Sequence, residues 1–129
     1  MDSELWTLLT GSAAVNAVCG QRIYWGDIPQ DADAPAAVLT IISGADEPHL
    51  RGTDALWRYR VQIDCYGINR VQARALSAAI VGALNGYGLA NQTGIRGAFV
   101  DSTREFKEDA ANARPSRISH DFIINWRAP

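Results

Sequence analysis

Two histidines, two cysteines and a few clustered carboxylates are the side chains here whose types most invite chemistry. His49 and His120 have neither C-x-x-C nor H-x-x-x-H spacing around them, so no metal site is expected. His120 alternates with apolar neighbours and reads as a core or interface histidine. Cys19, at a helix end, and Cys65, on the inward side of a strand, read as buried free thiols rather than a disulfide, and Cys65 has no evident base beside it. Asp46 with Glu47, and Glu105 with Glu108 and Asp109, are paired acids. Such pairs can move protons, but in polar segments they are usually solvated charges. Ser43-Gly44 lacks a Gly-x-Ser-x-Gly elbow, and Gly82, Gly86 and Gly88 close a helix instead of opening one onto a phosphate. The expectation is therefore no catalytic, metal-binding or cofactor-binding residue, and no cofactor. One reading from the enzyme class stays in play: a small ligand-binding or hydrolytic domain using the acids of Glu105–Asp109 with His120.

The stretch that must position everything else is 55–67. Trp57, Tyr59, Val61, Ile63 and Cys65 alternate with Arg58, Arg60, Gln62 and Asp64, the period of a strand with one face on a core and one toward water. Before it, helices are expected at 3–10, opening at Ser3 with Leu5, Trp6, Leu8 and Leu9 as its apolar stripe, and at Ala13–Cys19, capped by Ser12 and ended by Gly20. Ile23–Trp25 is a short extended piece, 27–35 a loop with two prolines and three aspartates, and Ala36–Ser43 a strand covered on both faces. Gly44–Asp54 reads as a long, polar and hence functional loop. After the central strand the period changes to 3.6: Asn69 caps a helix to about residue 86, burying Ala73, Leu76, Ile80, Ala83, Leu84 and Tyr87. A turn over Leu89–Gly94 leads to a strand over Ile95–Phe106, with Ala98, Val100 and Phe106 on one face and Gly97 at a bulge. A polar segment, Glu108–Pro115, precedes a last strand, Ser116–Arg127, with Ile118, His120, Phe122, Ile124 and Trp126 on one side. This predicts an α+β two-layer fold: a mainly antiparallel sheet of four to five strands, an amphipathic helix on one face and a short N-terminal helical region. One domain over 1–129 is expected.

Composition narrows the partners. Of the 129 residues, 47% are hydrophobic and 20% charged, as in ordinary globular proteins, and no apolar run nears the ~20 residues of a membrane span. The acidic start lacks the basic n-region of a signal peptide, so residence in the cytosol where the chain is made is expected. A net charge of −2 argues against nucleic-acid binding, and Trp57, Tyr59 and Trp126 fit a core face better than a base-stacking platform. The basic residues are eleven arginines and the single Lys107, a usage that suits fixed ion pairs and interfaces.

Several strings, in order and over nearly the whole length, resemble one family. They are the leucine-rich first helix, Arg22-Ile23-Tyr24, Pro35 to Gly44 ending in Ile-Ser-Gly, Arg60-Val-Gln-Ile-Asp-Cys-Tyr66, Gln72-Ala-Arg-Ala-Leu76, Ala83-Leu-Asn-Gly86, and Arg117-Ile-Ser-His-Asp-Phe-Ile-Ile-Asn-Trp126. The chain is thereby similar to the tail terminator, tail completion or head–tail joining proteins of siphophages and gene-transfer agents. The resemblance implies a structural protein without catalytic residues. It implies a homo-oligomer, a hexamer in the virion, that caps the tail tube, ends its polymerisation and offers a surface to the neck. The implied partners are the major tail tube protein and a head–tail connector, with DNA passing through unbound, no membrane, and a place at the tail–neck junction after assembly in the host cytoplasm. A stopper or adaptor of the neck is the alternative within the same class. Ring contacts are expected at Asp46, Glu47, His49, Arg51, Asp54, Arg58 and Arg60, with the loop acids at the opening.

Overall fold

The computed structural model describes residues 1–49, 52–88, 94–107 and 114–127, with backbone alone at 47–49 and 52–55. The elements run α1 (Asp2–Thr10), α2 (Ala13–Cys19), β1 (Ile23–Trp25), β2 (Ala36–His49), β3 (Gly52–Gly67), α3 (Arg70–Leu84), β4 (Gly94–Lys107) and β5 (Ser116–Arg127). The strands form one open sheet in the order β1-β2-β3-β5-β4. The β1–β2 pair is parallel and all others are antiparallel, which makes a mixed sheet in an α+β fold. The strand expected to be central is the middle one of five.

The helices share one core with one face of this sheet. Leu5, Leu9, Val15 and Cys19 from the N-terminal pair meet Leu76, Ile80 and Leu84 of α3 over Leu39, Val61, Ile63, Cys65, Phe122 and Ile124. These side chains are solvent-free because the alternation of β3 and β5 and the 3.6-residue stripe of α3 face each other. Asn69 caps α3, its Oδ1 accepting the Gln72 N–H at 2.9 Å, while Gln72 Oε1 accepts the Ile68 N–H at 2.8 Å. Ser12 caps α2 by accepting from the Val15 N–H. α1 begins one residue earlier than expected, at Asp2, and Ser3 does not cap it. Two of its side chains reach opposite sides of the sheet: the Trp6 indole N–H donates to the Ile23 carbonyl (3.0 Å) on edge strand β1, and Glu4 engages β4 and β5.

Several expectations are corrected. The described residues of Gly44–Asp54 are strand and not loop: β2 runs on to His49 and β3 starts at Gly52, paired as Ala45↔Arg58, Asp46↔Trp57 and His49↔Gly52. Backbone ladder bonds hold this part, so its polar side chains gave no apolar alternation to read. Pro48 is tolerated because it comes just after a register shift between Asp46 and Pro48. The strand at Ala36–Ser43 is covered on both faces only to Leu39; Ile41 and Ile42 beyond it are exposed. On α3, Tyr87 lies past the helix and is exposed, while Ser77 takes a buried place. Trp6, expected on the buried stripe of α1, is 37% exposed. Phe106 does not share a face with Ala98 and Val100, because register shifts at Ile95/Gly97 and Val100/Ser102 each insert a residue, and the second reverses the facing of the residues after it. The expected bulge at Gly97 is the first of these. The turn at 89–93 and the acids Glu108 and Asp109 lie outside the described residues.

Trp57 also differs from expectation. It is half-buried and stacks on Tyr59 with ring centroids 5.9 Å apart, at the end of the sheet, and it is absent from the core beneath α3. Val61, Ile63 and Cys65 are the strand's contribution to that core. Trp57→Ala is expected to cost under about 2 kcal/mol in denaturant unfolding, less than the ~3–5 kcal/mol of a fully buried tryptophan.

Candidate functional site: an open sheet face and a projecting arm

The sheet face away from the helices carries the charged half of the alternation. Opposed residues share a face, so the register defines rows across it. Successive rows are Val38–Asp64–Ser119–Arg104, Thr40–Gln62–Asp121–Ser102, Ser43–Arg60–Ile123–Phe99 and Ala45–Arg58–Asn125–Gly97. Arg60 bridges Asp101 (2.7 Å) and Asp121 (3.1 Å), and Arg104 reaches the other oxygen of Asp121 at 3.2 Å. The hydrogen bond to Asp101 is the main reason that the Arg60 guanidinium is held above its ordinary pKa. Three strands are thereby cross-linked by charge, with Asp121 nearly buried at the centre. Gln62 donates to Asp64 at 3.0 Å in the neighbouring rows.

Beyond this network lies an open groove of about 560 Å³, walled by Leu56, Arg58, Arg96, Phe99, Ile123 and Asn125 and bordered by Asp101. Arg58 and Arg96 form no ion pair among the described residues. Past the groove, β2 and β3 continue as a two-stranded arm, since the pairing of β3 with β5 begins only at Leu56↔Arg127.

The expected interface residues occupy this end of the molecule. Arg58 is exposed on the open face, and Arg60 is committed to Asp101 and Asp121. Asp46 is half-buried opposite Trp57, its Oδ1 shielded from solvent with no hydrogen-bond partner among the described residues. Glu47 and His49 lie at the end of β2 and Asp54 near the start of β3 within the arm; their side chains, and Arg51 altogether, lie outside the described residues. Sequence reading missed Asp101, Arg104, Asp121 and Arg96 as members of this face. Asp121 was visible as the polar alternate of the last strand, whereas Arg96 and Asp101 are placed by the two bulges.

The residues weighed for catalysis are arranged otherwise. His120 is 4% exposed, with Ser77 of α3 at Nε2 and the Thr103 hydroxyl 2.9 Å from Nδ1. Two hydroxyls, each able to donate or accept, suit a neutral imidazole with one N–H and one bare nitrogen. The adjoining 320 Å³ depression is lined by Ser77, Thr103 and Glu105 but not by His120, and Glu105 is held by Arg70 at 2.9 Å. Burial lowers the His120 pKa from 6.5. The unfolded chain then takes up the proton first, so this stability is complete above about pH 6.5 and is lost as pH falls through the lowered folded value. The melting temperature is expected to drop between pH 7 and pH 5, and His120→Gln, read by calorimetry, to flatten that slope.

Burial raises the pKa of Cys65 strongly, with Asp64 and Cys19 adding to it, and raises that of Cys19. Both are free and buried. Neither is expected to react with a thiol reagent until the protein is unfolded, a point checked by titration with and without denaturant. Among the described residues no three His, Cys, Asp or Glu side chains gather as a metal requires, and no helix is long and apolar enough to cross a membrane.

Comparison with known proteins adds what geometry alone does not. The family model described as "Tail completion protein gp17" matches residues 3–125. No curated protein matches. A chain in the solved structure titled "Virion of native gene transfer agent (GTA) particle" is similar in fold at 20% identity, with a TM-score of 0.68 over 96% of this chain and 92% of that one. A structural role in the tail counts against catalysis by the Ser77–His120 cluster. The chain belongs to the tail completion protein gp17 family and is a structural protein of the phage tail.

Proposed function

We propose that the protein is the tail terminator: a ring of identical chains, six in the virion, that caps the finished tail tube, stops its polymerisation and presents a surface to the neck. The observation that carries this reading is the family match over residues 3–125. The open charged face and the projecting arm support it, since a ring needs two different patches that meet head to tail rather than a cleft. The partners on this reading are further copies of the chain, the tail tube protein below and a head–tail connector above. The whole of 1–129 acts as one terminator domain, assembled in the host cytoplasm. DNA crosses the opening without being held, in keeping with a net charge of −2 and one lysine. The arm acids Asp46, Glu47 and Asp54 rim that opening, and His49, Arg51, Arg58 and Arg60 belong to contacts around it.

The test is deletion of the gene and electron microscopy of the lysate. Overlong, headless tails beside filled heads are expected. Tails of normal length that fail to join heads would assign the chain to the neck as a stopper instead. Reversing Asp46, Glu47 and Asp54 to lysine is expected to slow DNA ejection, and unchanged ejection and assembly would remove the acids from the rim.

A further inference from the structure

Among the described residues, the groove on the open face has cations in no ion pair, and the same chain carries acids in the same condition. Within the groove, Arg58 is flanked across the ladder by Ala45 and Asn125, neither of which is acidic, and Arg96 stands in the β4 bulge. Asp101 at its border is already taken by Arg60. Phe99 is 41% exposed beside them. A planar guanidinium pair, a carboxamide and an aromatic ring in an open trough fit an acidic segment with apolar residues between its charges.

The loop at 27–35 is such a segment. Asp27, Asp31 and Asp33 are exposed and form no ion pair among the described residues, and Ile28 and Pro29 lie between the first two. It is a braced loop: the Arg22 Nε donates to the Pro35 carbonyl at 2.9 Å, and the Arg114 Nη1 to the Ala32 carbonyl at 2.8 Å. A loop held in this way loses little freedom on docking. It leaves edge strand β1, whereas the groove is walled by the opposite edge strand, β4. A chain with complementary patches on different edges associates heterologously, each copy's loop entering the next copy's groove.

We infer that the 27–35 loop of one copy docks in the Arg58–Arg96–Phe99 groove of the next, with its aspartates on the two guanidiniums and Ile28–Pro29 against Phe99. The inference rests on the ring reading and supplies its subunit contact. Charge complementarity of this kind sets register and excludes wrong partners more than it adds affinity.

The experiment is a reciprocal charge swap, scored by complementation of the deletion with the full-length chain. One variant carries Arg58→Asp and Arg96→Asp; the other carries Asp27→Arg, Asp31→Arg and Asp33→Arg. Each alone sets like charges together and is expected to reduce completed particles about tenfold or more. Expressed together, each variant's loop matches the other's groove, so alternating rings form and particles recover. Melting curves of the two purified variants establish that both fold. If either variant complements alone as well as the parent chain, or if two folded variants fail together as they do apart, the contact is wrong. Failure of the ring reading looks different: the deletion lysate itself then contains tails of normal length.

Discussion

Phe122→Ala is expected to lower the unfolding free energy by about 3–5 kcal/mol, the largest loss for any single truncation in this core. Phe122 is the largest side chain with no solvent exposure. It lies on β5, between Val61 of β3 and Val100 of β4 and within the layer covered by α3, and its ring meets the His120 ring edge-on at 6.0 Å. The cavity left by alanine is walled by strands on both sides and by a helix above, so it closes poorly, and the cost of the void adds to the lost transfer energy. Denaturant unfolding should show a lower midpoint at unchanged slope. Phe99→Ala, on the open face, is the matching control and should shift stability by about 0.5 kcal/mol or less while weakening assembly. A Phe122→Ala protein as stable as the parent would mean that the two layers do not meet at β5.

Glu4→Ala is expected to cost about 2–4 kcal/mol, a large effect for a residue near the chain start. One carboxylate oxygen accepts the Ile95 backbone N–H at 2.8 Å and the other the Trp126 indole N–H at 3.0 Å. Ile95 is solvent-free, so this charge-assisted hydrogen bond is made away from water, where such bonds are stronger than neutral ones. Gly94 admits this contact. Its φ is +71°, and a Cβ there would collide with the Glu4 carboxylate. Glu4→Gln retains one acceptor and should lose less than alanine. Gly94→Ala should approach the alanine loss by displacing the carboxylate. Equal melting temperatures for the parent, Glu4→Ala and Gly94→Ala would show that α1 is not tied to the sheet through this residue.

These two residues mark the boundary of what a linear reading reaches. Phe122 was legible because Ile118, His120, Phe122, Ile124 and Trp126 alternate, and a two-residue period states which side is inward before any partner is known. The central strand, the face of α3, the caps at Ser12 and Asn69, and the bulge at Gly97 were legible for the same reason: each is a local rule of geometry or hydrogen bonding. The ordered strings that resemble the tail completion family also lie in the chain itself. Glu4 gave no such sign, since its partners are 91 and 122 residues away. The second bulge in β4 turned Phe106 outward, and no residue type announces such a slip. The arm was taken for a loop because backbone pairing needs no apolar side chains. Trp57 was assigned to the core because period specifies a side but not how far the helices extend over it. Sequence by itself thus determined the periods, the caps at Ser12 and Asn69, and the family. Tertiary structure alone decided which charges neutralise one another across three strands and which, at Arg58 and Arg96, form no ion pair among the described residues, because Coulombic pairing depends on distance through space and not along the chain.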